Sequence, residues 1–284
     1  MNPHRWDIDG RRNSVDDRLL LRVAPHLTER DRQIVRLLAE HRVLTTRQVC
    51  DAAFDSLRRA EVRLLRLYRL RVVDRFRPNR WPESSHYHWV LDTAGAAVIA
   101  RERGLDSNSL DWRHERGLAL AHSSQLDHRL GANGFFTALL RDARRRPECA
   151  LVAWWSAWRC ANEWGELARP DGYGVWAEGN SRVAFILEYD RGTESSDRLA
   201  KKLPGYRMLL SQAVAPTWLV FCFPGTRREA NARRALSGGP ELLATAVVEP
   251  GSSPADAVWL PLGGSRRLRL VELAGGVTHA RATA

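Results

Sequence analysis

The 284-residue sequence predicts a mixed α/β protein made of an N-terminal winged helix-turn-helix and a larger α/β domain with a mixed central sheet. For the first part, three amphipathic helix patterns follow Leu27, and two short apolar strands come directly after them. For the second part, a long helix pattern precedes three strands, a helix and a fourth strand. We expect a flexible arm at 1–26, domains at 27–104 and 117–273, a linker at 105–116 and a disordered tail at 274–284.

The charge of the chain indicates a polyanionic partner. The net charge is +11 and the pI is about 10.4, which favours nucleic acid or an anionic membrane surface. No apolar run approaches the roughly 20 residues that cross a bilayer, and the polar N-terminal segment does not resemble a signal peptide. We therefore expect a cytoplasmic protein that does not contact membranes. The four cysteines lack C-x-x-C spacing, and the sequence lacks glycine-rich nucleotide loops, so neither a close-paired zinc site nor a nucleotide cofactor is indicated.

The elements of the winged helix follow from caps and periodicity. Thr28 caps the first helix, with Asp31 at its third position, and Thr45 caps the second. The next elements are a third helix from position 55 or 56 to about 69, strands at 72–76 and 86–90, and a helix at 92–104.

The third helix separates an apolar face from a basic one, on which Arg59, Arg63 and Arg66 lie about one turn apart. In a winged helix this helix enters the major groove, and the hairpin contacts the neighbouring backbone. The candidate DNA-binding residues are Arg58, Arg59, Arg63, Arg66, Arg75, Arg77 and Arg80. Two alternatives stay open: the arginines form an ordinary solvated surface, or the domain serves protein contact or homodimerisation.

The second domain is predicted as a helix at 117–146, strands at 151–155, 168–176 and 182–188, a helix at 193–210 with a kink or break at Pro204-Gly205, a strand at 218–223 and a helix at 226–236. The third of these strands is apolar almost throughout, which is typical of a strand buried on both faces. The stretch 238–264 has no clear pattern, and 268–273 is expected to form an edge strand.

Carboxylates occupy the ends of two neighbouring strands of this domain. Asp171 lies in the second strand, and Glu188 and Asp190 end the third, so the three can converge on one hard cation such as Mg²⁺ or Mn²⁺. Such an ion polarises a phosphodiester and activates water. The only lysines of the chain, Lys201 and Lys202, follow on the next helix, which makes all five residues candidate catalytic groups and the three acids candidate metal ligands. The alternative is that the acids are turn residues or caps.

Pro170-Asp171, followed by Glu188-Tyr189-Asp190, resembles the PD-(D/E)-x-K nuclease signature, and the α-β-β-β-α-β order is similar to the restriction-endonuclease-like fold. The resemblance covers about residues 117–236. It implies that Asp171 and Glu188 bind a divalent ion. Asp190 occupies the usual lysine position. Since some members carry this lysine on the following helix, the resemblance implies Lys201 or Lys202 as its replacement.

Over about residues 27–236 the chain resembles the actinobacterial plasmid replication-relaxation family. The segments that carry this resemblance are 27–31, 128–133, 187–194 and 202–206. The resemblance implies a DNA-binding protein of plasmids or mobile elements, acting in replication or mobilisation, with double-stranded DNA and plasmid replication or mobilisation proteins as partners.

Three functions are therefore predicted: a duplex-DNA-binding protein of a plasmid or mobile element, a metal-dependent endonuclease or nickase, and an inactive nuclease-like fold that clamps DNA or binds proteins. The missing lysine after Glu188 favours the third.

His122 and His128 fall on different helix faces, so we expect core or surface histidines rather than a shared metal site. The tryptophans between 154 and 176 are expected to pack in the core, with stacking on single-stranded DNA as the alternative.

Overall fold

A computed structural model describes residues 17–78, 86–105, 112–249 and 251–275. The chain divides into two compact units, residues 1–126 and 127–284. The sequence placed this division near residue 117. The later boundary has a physical cause: Nε2 of His114 lies 2.8 Å from a carboxylate oxygen of Asp74, and Gly117 lies close to Val90. The segment that follows the predicted linker therefore packs on the first unit.

The first unit consists of α1 (Asp17–Val23), α2 (Glu29–His41), β1 (Leu44–Thr45), α3 (Thr46–Ala53), α4 (Leu57–Arg69), β2 (Val73–Phe76), β3 (His88–Leu91), α5 (Thr93–Glu102) and α6 (His114–Ala119). The strands form an antiparallel sheet in the order β1-β3-β2. Helices α2, α3 and α4 and the β2/β3 pair occur in the predicted order. Residues 17–26 of the predicted flexible arm instead form α1 and a 3-10 turn at Ala24–His26, and the rest of the arm lies outside the described residues.

A buried ion pair joins α2 to α4. Thr28 and Asp31 form the predicted cap of α2, in which each side chain accepts a hydrogen bond from the other residue's backbone. Nε of Arg63 donates to Oδ1 of Asp31 at 2.7 Å, and its Nη2 donates to both Oδ2 of Asp31 and the carbonyl of His26. Burial alone would raise the pKa of Asp31, but the hydrogen bonds from Arg63 and Thr28 outweigh burial and lower that pKa. Arg63 is thus fixed to the helix core.

The second unit contains α7 (Leu126–Arg145), β4 (Cys149–Ser156), α8 (Ala157–Trp164), β5 (Gly172–Glu178), β6 (Ser181–Tyr189), α9 (Ser196–Ser211), β7 (Thr217–Phe223), α10 (Thr226–Ala235), β8 (Leu243–Val247) and β9 (Leu260–Pro261). Its mixed sheet has the order β4-β5-β6-β7-β8-β9, with β6, β7 and β8 parallel and the other neighbours antiparallel.

Apolar side chains cover both faces of this sheet. Phe135 and Phe136 of α7 pack on one face, where Trp176 of β5 is also fully buried. Leu203 and Tyr206 of α9 pack on the other. Every residue of β7 is buried, as expected for a central strand between two helical layers.

The helices differ from the sequence predictions at three places. The helix at 117–146 is not continuous, because the chain becomes extended at Ser123, whose hydroxyl accepts a hydrogen bond from the backbone of Gln125. Helix α8 was not predicted, although Ser156 caps it by accepting from the backbone of Arg159. Pro204 does not break α9, which continues to Ser211.

The C-terminal region also differs from the expectation. The predicted edge strand at 268–273 is wrong: only Leu268 pairs, with Trp259, and Leu270–Glu272 is a 3-10 turn. Strand β8 lies in the stretch that the sequence left unassigned. The predicted tail begins inside a helical turn that includes residues 274 and 275, and the rest of the tail lies outside the described residues. Among the described helices, none has both the length and the apolar character needed to cross a membrane.

Replacing Arg63 by Ala should destabilise the first unit by about 3–5 kcal/mol, because the carboxylate of Asp31 would be left buried without its partner. Denaturant unfolding followed by circular dichroism measures this loss. The matched control is Arg66→Ala on the exposed side of the same helix, for which we expect a change within about 0.5 kcal/mol. Equal effects of the two substitutions would contradict a structural role for Arg63.

Candidate functional site

The pairing of β5 with β6 brings Asp171 beside Glu188. Gly172 lies opposite Leu187 in this antiparallel pair, so the residue before Gly172 faces the residue after Leu187. The backbone nitrogen of Asp171 donates to the carbonyl of Leu187 at 3.0 Å, and the nitrogen of Tyr189 donates to Oδ2 of Asp171 at 2.8 Å. The two acids thus share one end of the sheet, as the sequence predicted.

Two residues of α9 hold the buried carboxylate of Glu188. Nζ of Lys202 lies 2.8 Å from Oε2, and the hydroxyl of Tyr206 donates to Oε1. Lys202 also pairs with Glu194 at 3.1 Å. Lys202 and Tyr206 are four residues apart, which places both on the helix face that packs on the sheet. Of the two candidate lysines, Lys201 is exposed and Lys202 contacts Glu188.

The protonation of Glu188 is perturbed by its surroundings. Burial raises its pKa to about 7, and the negative charge of Asp171 adds to this effect, while the ammonium of Lys202 and the bond from Tyr206 oppose it. For Lys202, burial alone would lower the pKa, but the ion pairs with Glu188 and Glu194 outweigh burial and raise it. The site therefore combines a permanent cation with a carboxyl group that titrates near neutrality.

His128, which lies on α7, contacts Asp171. Its Nε2 lies 2.7 Å from Oδ1 of Asp171, and this hydrogen bond raises the pKa of His128 despite its partial burial. Helix α7 approaches the sheet closely, since a Cβ atom on Gly131 would lie 2.2 Å from the ring of Tyr189. The sequence indicated only a core or surface histidine at this position. Neither helical spacing nor composition indicates a contact between residues so far apart in the chain.

Asp190 does not join the pair. Nε of Arg228 donates to one of its oxygens at 2.6 Å, and the backbone of Gly192 donates to the other at 2.6 Å. Arg228 also bonds the carbonyl of Glu194, so Asp190 fastens the loop after β6 to α10. In the part of the chain that the structure describes, the oxygens of Asp171, Glu188 and Asp190 do not form a group within 4.8 Å of one another. The expected convergence of three carboxylates was wrong for Asp190.

Asp171 and Glu188 are the two acids left for the predicted divalent cation, and all four of their carboxylate oxygens are hydrogen-bonded, to His128, the backbone of Tyr189, Lys202 and Tyr206. Both acids offer carboxylate oxygens from adjacent strand ends, and the negative charge of Asp171 helps to raise the pKa of Glu188, an effect that a cation would offset. Asp190 does not fit as a third ligand, because Arg228 neutralises it. The Mg²⁺ or Mn²⁺ site therefore stays a prediction that rests on two acids.

In the first unit, α4 presents a basic surface. Arg58, Arg59 and Arg66 are exposed, and they line a groove of about 460 Å³ together with Arg30 of α2. Arg63 also lines this groove, but its guanidinium is held by Asp31. Five arginines thus line one concave surface, and one of them is neutralised by Asp31.

The hairpin arginines rest on aromatic rings. The guanidinium of Arg75 lies 3.9 Å from the ring centre of Tyr87 and 4.8 Å from that of Tyr68. Arg77, which is exposed, lies 3.9 Å from the ring centre of Tyr87. These cation–π contacts orient the two guanidinium groups without neutralising them. The predicted contact residue Arg80 lies outside the described residues.

The carboxyl group of Glu188 should titrate near pH 7, and Mg²⁺ should lower this midpoint because a cation favours the carboxylate. Lys202→Met should raise the midpoint, since the ammonium group stabilises the carboxylate. Carbon-13 NMR of labelled glutamate side chains, assigned with Glu188→Gln, measures all three values. A midpoint near 4.5 in the unaltered protein would contradict the burial of this charge.

The free energy of unfolding should depend on pH through the protonation of Glu188. Because the pKa of Glu188 is raised on folding, its protonation stabilises the folded state fully below about pH 4.5, and this stabilisation is lost as the pH rises through about 7. Glu188→Gln should therefore flatten the dependence of the unfolding free energy on pH across this interval, as measured by urea unfolding. If the unfolding free energy of Glu188→Gln depended on pH as in the unaltered protein, other titrating groups would account for this dependence.

Comparison with known proteins assigns the chain to a family but finds no individual relative. No curated protein and no solved structure matches the chain significantly. The sequence model of the replication-relaxation family matches residues 35–217, a segment that includes α4, the hairpin, Asp171, Glu188 and Lys202. Because this match covers more than half of the 284 residues, the chain belongs to the replication-relaxation family.

Proposed function

We propose that the protein binds duplex DNA and acts in the replication of a plasmid or mobile element, with α4 as the DNA-contacting helix of a winged helix-turn-helix. Membership of the replication-relaxation family is consistent with a replication role. The observation that carries DNA binding is the exposed row Arg58, Arg59 and Arg66 on the helix that a winged fold presents to the major groove. The net charge of +11 supports the same proposal.

Different arginines have different roles in this proposal. The exposed side chains of α4 contact phosphates or guanine edges, which bind guanidinium groups in a bidentate manner. Arg63 fixes the orientation of α4 through Asp31 and does not contact DNA itself. Arg75 and Arg77 face the neighbouring backbone from the hairpin, where Tyr87 holds both guanidinium planes.

A second candidate function is metal-dependent cleavage or nicking of DNA by the second unit. The specific observation in its favour is the contact of Lys202 with Glu188, because it supplies from α9 the lysine that the third strand lacks. Asp171 and Glu188 would hold Mg²⁺ or Mn²⁺, which when bound would activate water and polarise the phosphodiester. Lys202 would orient the attacking water, and Tyr206 would keep Glu188 in place. His128 would add positive charge beside Asp171 while it is protonated.

Replacing Arg58, Arg59 and Arg66 together by Ala should weaken binding to duplex DNA. It should also reduce the slope of log affinity against log salt by about 2–3 units, because three phosphate contacts and their counterions are lost. Fluorescence anisotropy of a labelled duplex between 50 and 300 mM salt measures both quantities. Arg101→Ala, an exposed arginine on α5, is the matched control and should leave the slope unchanged. If the triple variant bound like the unaltered protein, α4 would not be the DNA-contacting helix.

Supercoiled plasmid incubated with the protein and Mg²⁺ or Mn²⁺ should yield nicked or linear product. Asp171→Asn and Lys202→Met should reduce the rate by at least about 100-fold, since each removes a group that acts on the reacting phosphate. Lys201→Met is the matched control, because it removes the adjacent but exposed lysine.

Agarose gel electrophoresis of time courses gives the rates. Equal activity of Asp171→Asn and the unaltered protein would assign the cleavage to a contaminant. The absence of product with either ion would favour an inactive nuclease-like unit that only clamps DNA or binds proteins.

A further inference from the structure

An aromatic cluster lies beside the acidic pair, on the same face of the sheet. It consists of Trp155 at the end of β4, Trp164 at the end of α8 and Tyr173 on β5, with ring centres 4.9–5.6 Å apart. All three rings are only partly buried. The ring pairs are tilted or edge-to-face, and clustered indole and phenol rings that stay open to solvent are typical of surfaces that bind planar ligands.

The position of the cluster relative to the acids follows from the sheet. Tyr173 lies opposite Ile186, which is two residues before Glu188 on β6, so the side chains of Tyr173 and Glu188 lie on one face of the sheet. Tyr173 and Trp164 pack against the apolar cluster that contains Tyr206, and Tyr206 bonds Glu188. Strand spacing places Trp155 roughly 12 Å from Glu188, since one strand separates β4 from β6 and the two residues are offset along them. One strand of DNA can span this distance.

An exposed guanidinium group covers the cluster. Arg159 of α8 lies 4.2 Å from the ring centre of Trp155, four residues earlier in the chain. Its inner face contacts the indole, and Arg159 is exposed to solvent. A guanidinium plane that is held on a ring offers a stacking surface for a base and a positive charge for a phosphate.

We propose that Arg159 and Trp155 form a stacking site for an unpaired base, so that the second unit takes single-stranded or locally melted DNA next to the acidic pair. This inference rests on the proposed function, because it supplies the strandedness of the DNA that the unit handles. A base-paired segment would not use the site, since its bases are stacked on each other and their faces are closed. Sequence-independent binding is expected, because every base has a face that can stack.

The test measures binding of a fluorescent 12-nucleotide thymidine oligomer and of a duplex of equal length. Arg159→Ala should weaken binding of the single strand roughly 5- to 100-fold, the usual loss when one stacking contact is removed, and should leave duplex affinity unchanged. Arg159→Lys keeps the charge without the planar group, so it should recover only part of the loss. Arg182→Ala, an exposed arginine on β6 at the other end of the strand from Glu188, is the matched control and should change neither affinity. Thermal unfolding of each variant checks that the fold is retained.

The outcomes separate this inference from the proposed function. Unchanged single-strand affinity of Arg159→Ala would overturn the stacking site, even if the α4 variant lost duplex binding and Lys202→Met lost cleavage. Full recovery by Arg159→Lys would also overturn it, because charge alone would then explain binding. Loss of single-strand affinity with Arg159→Ala would support the stacking site even if the unaltered protein cleaved no plasmid and the α4 variant bound duplex normally.

Discussion

The buried carboxylate of Glu188 is the constraint on which the second unit depends. An ionised carboxylate on a central strand costs several kcal/mol unless charged or hydrogen-bonding partners offset its desolvation. Lys202 and Tyr206 provide these partners one helical turn apart, and this requirement sets how α9 lies on the sheet. Lys202 also holds Glu194, whose carbonyl accepts a bond from Arg228. The loop between β6 and α9 is therefore fastened at both ends, and its position follows from the charge at Glu188.

The fold was predictable where one element carries its own pattern. Strands β5, β6 and β7 have apolar runs of ordinary strand length, and Thr28 and Thr45 both form the caps that their positions indicated. The prediction of secondary structure failed where an element forms only because of its tertiary contacts or is too short to show a pattern. Strand β8 lies between segments rich in glycine and proline and becomes a strand because it pairs in parallel with β7. Helix α8 has only two turns within a tryptophan-rich stretch, so its periodicity was too short to detect.

The candidate site was predictable in part, for the same reason. Asp171 and Glu188 were found because each ends a recognisable strand, and adjacent strand ends meet. The choice between Lys201 and Lys202 depends on helix phase, which becomes clear only when Tyr206 is recognised as the residue one turn later on the same face. Arg63 has the same spacing as Arg59 and Arg66, and only the fold shows that a buried Asp31 neutralises it. His128 contacts Asp171 across 43 residues of sequence, so no local pattern could reveal it.

The acids at this end of the sheet differ in their effect on stability. Asp190 is fully paired, whereas Asp171 and Glu188 place negative charges close together. Asp190 is paired with Arg228 and a backbone amide, which accounts for its burial completely. Asp171 instead adds negative charge beside Glu188 and raises the pKa of that carboxyl group, an arrangement that costs stability at neutral pH. Asp171 is itself hydrogen-bonded by His128 and by the backbone of Tyr189, so the unfavourable part of the arrangement is its effect on the charge of Glu188. Clustered like charges that burden the fold are typical of sites that act on another charged group, whether a cation or a phosphate. The charge of Asp171, which Lys202 only partly offsets at Glu188, is therefore the physical argument for our proposal that these two acids serve a ligand.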